Sequence, residues 1–209
     1  MQFADQFNFL KEWLSAPLRI GAVAPSGDSL AEIITRDISA EHAPVIELGP
    51  GTGVFTRSLI ERGIPENKLA LVESSLEFAK RLEGQFPASR ILCMDASGLD
   101  QIELFEGQQA GAIISGLPLF SMQNRKVVEI LQASFAHLRP GGFFFQFTYG
   151  PCCPVAPQVL ETCDLSANRV GGTLKNVPPA AVYRLSRRNT PNGQDSSSVG
   201  KTKMASVGR

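Results

Sequence analysis

Three glycines at alternate positions, Gly49, Gly51 and Gly53, follow directly on the run Val45-Ile46-Glu47-Leu48. Glycine loses more backbone freedom on folding than any other residue, so three this close call for a reason. Two reasons fit: a tight turn, and a ligand lying against main chain that no Cβ obstructs. The spacing is G-x-G-x-G. The dinucleotide fingerprint G-x-G-x-x-G would need glycine where Val54 stands, which disfavours a pyrophosphate on the next helix end. Acids stand in related places. Glu47 precedes the glycines, Glu73 closes Leu69-Ala70-Leu71-Val72-Glu73, and Asp95 closes the segment 90–95. A carboxylate at 73 can accept from both hydroxyls of a ribose, one at 95 from an adenine amine, and Glu47 can balance an amino-acid ammonium group. Taken singly, Glu73 could be a solvated strand end and Asp95 a helix cap. After the glycine loop both read as ligand groups.

The elements that must bring these groups together follow a rhythm. Segments 45–48, 69–73, 90–95, 111–116 and 142–150 are short, apolar and strand-like. Helical patterns run between most of them: from the glycine loop to about Arg62, over Leu76, Phe78, Ala79 and Leu82, and over Val127, Val128, Ile130, Leu131 and Phe135. Such alternation predicts βαβ units and a doubly wound, mostly parallel sheet covered on both faces, which explains strands apolar throughout. Ligands of such sheets sit beyond the carboxyl ends of the strands, where the topology switches direction. Beyond Pro154 a helical stretch near 155–163 precedes two extended segments, 169–174 and 180–187, expected to pair antiparallel at the sheet edge. Arg139-Pro140-Gly141-Gly142 reads as a structural turn.

The N-terminal part carries two amphipathic helices. One spans 3–14, with Phe3, Phe7, Leu10, Trp13 and Leu14 on one face, and Pro17 closes it. The other begins near Ser26 or Asp28 and carries Leu30, Ile33, Ile34 and Ile38. Residues 1–188 are expected to form a single domain. Residues 189–209 are polar, small and poor in large apolar groups, so they are expected to be a disordered tail.

Bulk properties narrow the function classes. Net charge is zero, so no global field draws the chain to nucleic acid or membrane, and any attraction must be local. No apolar run is long enough to span a bilayer, and nothing resembles a secretory signal. Cys93, Cys152, Cys153 and Cys163 show no C-x-x-C spacing, and His42 and His137 are the only histidines, which argues against a metal centre and for a reducing, cytoplasmic setting.

An adenosyl group with a cationic amino-acid tail describes S-adenosylmethionine. In ELGPGTG (47–53), LVE (71–73), MDA (94–96) and LRPGG (138–142), in that order, the chain resembles the class I S-adenosylmethionine-dependent methyltransferases. The resemblance implies a Rossmann-like α/β fold: a doubly wound, mostly parallel seven-stranded sheet with an antiparallel edge pair. It also implies a cofactor site made of Glu47, Gly49, Gly51, Gly53, Glu73, Ser74, Asp95, Ala96 and Ser115, with Ser26 near the methionine carboxylate.

The acceptor side follows the fourth strand, at Ser115-Gly116-Leu117-Pro118-Leu119-Phe120. Enzymes that methylate a base amine place an amide and an aromatic around a proline, as in N-L-P-Y. Here Gly116 and Leu119 occupy those two places. The glycine loop looks like that of ribosomal RNA adenine dimethylases, yet the base-handling pair is missing and the core has no basic patch for phosphates. RNA is therefore the alternative acceptor, and a non-catalytic cofactor-binding module is a third reading. FLKEWLSAPLRIGAVAPSGDSLA (9–31), SGLPL (115–119) and NVPPAAVYRLSR (176–187) resemble bacterial phospholipid N-methyltransferases acting on phosphatidylethanolamine. That resemblance implies peripheral contact of helix 3–14 with an anionic, phosphatidylethanolamine-containing membrane surface, on the inner face of the cell membrane. The Gly116 and Leu117 carbonyls are expected to orient the amine. Tyr183 and Tyr149 are the aromatic faces available to a methylated ammonium, and each could equally be a core ring.

Overall fold

Glu47 apart, Val45–Leu48 presents apolar side chains to both sides, and it forms β1 in the middle of a sheet, fully buried. The computed structural model describes residues 25–149, 152–173 and 179–188. The first amphipathic helix (3–14) and the tail (189–209) lie outside the described residues.

The described chain runs α1 (Pro25–Thr35), β1 (Val45–Leu48), α2 (Val54–Glu61), β2 (Leu69–Glu73), α3 (Leu76–Gln85), β3 (Arg90–Cys93), β4 (Ala110–Ser115), α4 (Asn124–His137), β5 (Leu138–Tyr149), α5 (Pro157–Thr162), β6 (Leu165–Thr173) and β7 (Ala180–Arg187). The strand order is β3-β2-β1-β4-β5-β7-β6 in one seven-stranded sheet. β1 to β5 pair in parallel, whereas β7 pairs antiparallel with both β5 and β6. This is the doubly wound α/β architecture expected from the sequence, and its direction switches between β1 and β4.

Alternation along each strand sends side chains to two cores. On one face Ile46, Leu48, Val72, Ile113, Phe144 and Leu185 meet Val127, Ile130, Leu131 and Phe135 of α4. On the other, Val45, Leu71, Ile114, Phe145 and Phe147 meet Leu30 and Ile34 of α1 and Phe55 and Leu59 of α2. Ile38, expected on the α1 face, is buried in this second core just beyond the helix end.

Three details differ from the sequence reading. The third strand stops at Cys93, two residues before Asp95, because it is the sheet edge and the chain turns there into a 3₁₀ helix over Ala96–Gln101. For the same reason β3 is half exposed and not covered on both sides. The stretch Arg139-Pro140-Gly141-Gly142 lies inside β5, as a bulge. Leu138 pairs with Ala110 and Phe143 with Ala112, so four residues face Gly111 alone.

Phe144 is fully buried and stacks on Phe135 of α4, with ring centroids 6.1 Å apart. Phe144→Ala removes that ring from the middle of the core. It should cost about 3–5 kcal/mol, seen as a lower urea midpoint at unchanged slope.

Candidate functional site

The carboxyl ends of β1, β2 and β4 meet at the glycine loop. Gly49 and Gly53 have φ of +67° and +77°, a region that side-chain-bearing residues rarely adopt. Space is lacking as well as conformational freedom: a Cβ on Gly53 would lie 2.5 Å from the ring of Phe86. Gly53 also caps α2, so the turn and the helix start are one structure.

Two buried acids brace this loop from opposite ends. Glu73, at the tip of β2, accepts from the Gly51 N–H at 3.2 Å and from the Ser75 N–H at 2.9 Å, one on each oxygen. Each oxygen keeps a further lone pair. Ser75 in turn caps α3. Glu47 is completely buried, and its Oε2 accepts from the Thr56 hydroxyl of α2 at 2.6 Å. Its Oε1 has no partner among the described residues. Burial is the largest influence on this carboxyl and raises its pKa to about 7, against the opposing pull of Thr56 and Arg57.

Asp95 sits differently from these two. It caps the 3₁₀ helix: Oδ1 takes both the Ser97 N–H and the Ser97 hydroxyl, each at 2.9 Å. Oδ2 pairs with Lys126 of α4 at 2.8 Å, and Lys126 also donates to Ser97 Oγ. The Lys126 hydrogen bond, then the Ser97 N–H, hold this carboxyl below the usual aspartate range. Oδ2 alone keeps a vacant lone pair. Ala96, the first residue of that turn, is buried beside it. Ser74 stands exposed between Glu73 and the start of α3, and Leu76 next to it is 60% exposed, an apolar side chain at the mouth of the site.

The loop after β4 presses on the glycine loop. The Gly116 N–H donates to the Leu48 carbonyl at 2.8 Å, and a Cβ on Gly116 would lie 2.6 Å from the Gly49 carbonyl oxygen. No side chain fits at 116 with this backbone. Conversely, a Cβ on Gly49 would meet the Leu117 side chain at 2.9 Å. Ser115 is buried, and its hydroxyl accepts from the Leu117 N–H at 3.3 Å. The Leu117 carbonyl, expected to be open to an amine, is already occupied: it accepts from the Gln146 amide at 2.9 Å and from the Leu119 N–H at 2.9 Å, which uses both lone pairs.

Tyr149 and Tyr183 are not brought together. Tyr149 ends β5 on the face of α1 and α2, edge-on to Phe147 at 5.5 Å, in the second core. Tyr183 belongs to the opposite face and pairs in register with Gln146. Burial, with Cys153 adding to it, raises the Tyr183 hydroxyl above the ordinary tyrosine range, so it stays a neutral phenol. Ser26 lies in the first turn of α1, and its side chain is outside what the structure describes. Thr56, Lys126, Leu76 and Gln146 escaped the sequence reading. Gln146 alone carried a signal, as a polar residue inside the apolar run Phe143–Phe147.

A cleft of about 470 Å³ runs between α1 and the length of α2, lined by Asp28, Glu32, Val54, Arg57 and Glu61. Among the described residues no cluster of metal-ligating side chains occurs, and no helix is long and apolar enough to cross a membrane.

Comparison with known proteins agrees with this fold. No family model matches the chain. Ornithine lipid N-methyltransferase of Singulisphaera acidiphila is 32% identical over 153 residues, covering 70% of this chain and 79% of that protein. Ribosomal RNA small subunit methyltransferase A of Bordetella pertussis is 32% identical over 101 residues, covering 48% of this chain and only 37% of that protein. Among solved structures, the 1,6-didemethyltoxoflavin-N1-methyltransferase of Burkholderia thailandensis with bound S-adenosylhomocysteine superposes with a TM-score of 0.60 at 15% identity, covering 88% and 87% of the two chains. The fold is therefore that of the Rossmann-like methyltransferases. With the kinship to the Singulisphaera protein, the chain belongs to the class I S-adenosylmethionine-dependent methyltransferases, and S-adenosylmethionine is its cofactor.

The buried Glu47 gives a pH signature. Unfolded it titrates near 4.5 and folded near 7, so between these values the folded state holds an extra proton. Its contribution to stability is full below the lower value and is lost as pH rises through the upper one, at roughly 1.4 kcal/mol per pH unit. Glu47→Gln should remove this slope, seen as the difference between variant and wild-type urea unfolding across that interval.

Proposed function

We propose that this methyltransferase acts on the amine of a membrane aminolipid, phosphatidylethanolamine foremost, and works peripherally at the inner face of the cell membrane. The observation that carries the choice of acceptor is the contact between Gly116 and the Gly49 carbonyl. It leaves no room for the amide that base-methylating enzymes place there, while the lipid-modifying Singulisphaera relative matches over most of its length. The segment 3–14, with Phe3, Phe7, Leu10, Trp13 and Leu14 at amphipathic spacing in the sequence, supplies the membrane contact.

The residues at the strand ends suit the cofactor. The two lone pairs left on Glu73 match two ribose hydroxyls, and the one left on Asp95 Oδ2 matches an adenine amine. Exposed Leu76 covers an apolar ring face, with Ser74 and Ala96 flanking the nucleoside. Gly49, Gly51 and Gly53 give the ligand bare backbone to lie on. Glu47 Oε1 is an acceptor in need of a cationic partner, and Ser26 and Ser115 complete the tail site. The cofactor supplies a methyl group on a sulfonium sulfur, open to a lone pair arriving in line with the S–C bond.

The chain's own groups do the rest. An ethanolamine amine is mostly protonated in water, and burial beside the loop 115–119 favours its neutral form by penalising the charged one. The Gly116 carbonyl orients it, and holding the two reactants in line is the main source of rate. The ring of Tyr183, with its hydroxyl neutral, is the aromatic neighbour for the methylated nitrogen. Tyr149 serves the core.

Two measurements test this reading. Purified protein with labelled cofactor should label phosphatidylethanolamine or ornithine lipid in vesicles and leave total RNA unlabelled. Trp13→Asp should weaken vesicle binding. Label in RNA alone, or cofactor binding with no transfer to any acceptor, would refute it. Calorimetry gives a second readout: a cation beside Glu47 lowers its pKa, so cofactor binding releases a proton below about pH 7. Affinity should then rise with pH up to that value, and Glu47→Gln should abolish the proton release.

A further inference from the structure

Gln146 is 1% exposed near the carboxyl end of β5. Its Nε2 donates to two main-chain carbonyls, Leu117 at 2.9 Å and Phe147 at 2.8 Å. Both partners can only accept, so the amide cannot be turned over without setting oxygen against oxygen. The orientation of Oε1 is therefore fixed by the chain. That oxygen is buried and has no hydrogen-bond partner among the described residues. An acceptor left so is destabilising, and an aliphatic side chain in this apolar strand would avoid that.

Its place in the sheet suggests why it stands there. Register sets Gln146 between Ser115, the last residue of β4, and Tyr183 of β7. β5 continues to Tyr149 while β4 turns away, which leaves a step at the carboxyl edge of the sheet. The loop that passes this step begins with Gly116, pressed on the glycine loop, and its next carbonyl, from Leu117, holds the Gln146 amide. The unsatisfied oxygen thus belongs to the junction between the cofactor loop and the acceptor loop.

We propose that Gln146 Oε1 accepts an N–H from the nitrogen that is methylated, making this amide the group that orients amines still bearing hydrogen. The proposal rests on the reading of amine transfer above. In the step, the nitrogen lone pair forms the N–C bond while the S–C bond breaks and its electrons go to sulfur. The nitrogen becomes an ammonium, its N–H binds Oε1 more strongly as charge develops, and that proton leaves to water before another round. A neutral amide suits this task, because it supports the growing positive charge without holding the protonated amine as an ion pair. Neutral primary and secondary amines carry an N–H for Oε1; a tertiary amine carries none.

The test uses the full chain with Gln146→Met and vesicles of phosphatidylethanolamine or its monomethyl or dimethyl derivative. In the variant, kcat/KM on the first two lipids should fall roughly tenfold or more, the worth of a hydrogen bond to a charging group. The ratio of dimethyl to unmethylated turnover should rise by the same factor. This ratio does not depend on how much of the variant is folded. Gln146→Asn, which withdraws the oxygen by one methylene, should shift the ratio the same way by less, and it serves if the methionine variant fails to accumulate. S-adenosylhomocysteine affinity, measured by calorimetry without turnover, should match wild type. A uniform loss over the three lipids, or an unchanged ratio, would overturn the proposal and leave the lipid reading standing. A wild-type protein that methylates neither these three nor ornithine lipid would overturn both.

Discussion

Two stretches of main chain touch at the centre of this molecule, and the site is arranged around their contact. Gly116, just past β4, lies against the Gly49 carbonyl, just past β1, with space for a hydrogen and no more. The contact is enforced from below by the parallel pairing of Leu48 with Ser115 and by the hydrogen bond from Gly116 to Leu48. With the loops so fixed, the glycine turn cannot sag into the acceptor side, and the acceptor loop cannot carry a side chain at its first position. A parallel sheet supplies this kind of rigidity at a switch point, because both strands end at the same level and neither can slide.

Around that contact the buried polar groups divide by task. Glu73 is satisfied from both sides by backbone N–H groups, so it ties the glycine turn to the start of α3 while keeping lone pairs to offer. Glu47 is half satisfied, by Thr56 alone, in a place where ionisation is penalised. Such a group holds free energy in reserve for a cation. Gln146 is the uncharged counterpart on the other face of the sheet, tethered by its nitrogen with its oxygen unpartnered. Buried polar atoms are nearly always paired in folded proteins, and these two acceptors near one set of strand ends depart from that rule.

The kinship findings and the local geometry constrain different levels of function. Likeness to solved methyltransferases at low identity establishes the fold, and the relative matched over most of its length establishes the class. The proposed choice of acceptor rests on a few residues after β4 and along β5 and β7. There this chain has glycine where base-methylating enzymes have an amide, and a row of Ser115, Gln146 and Tyr183 beside it.

By itself the sequence determined the architecture and the place of the glycine loop within it. Continuous apolar runs such as LALVE, helical spacing between them, and glycines at 49, 51 and 53 are local properties, and each survives in the fold because the sheet makes the same demand everywhere along β1, β2 and β4. Tertiary structure alone decided what those residues do to one another. The end of β3 moved back from Asp95 because an edge strand has one neighbour fewer to hold it, and Lys126, distant in sequence, made Asp95 an ion pair as well as a cap. Tyr149 and Tyr183 were both candidate aromatic faces in the sequence, yet alternation in paired strands sends them to opposite faces. Gly116 looked like the loss of a functional amide and proved to be a packing requirement. Such outcomes depend on distances between separate strands, which periodicity along one chain does not encode.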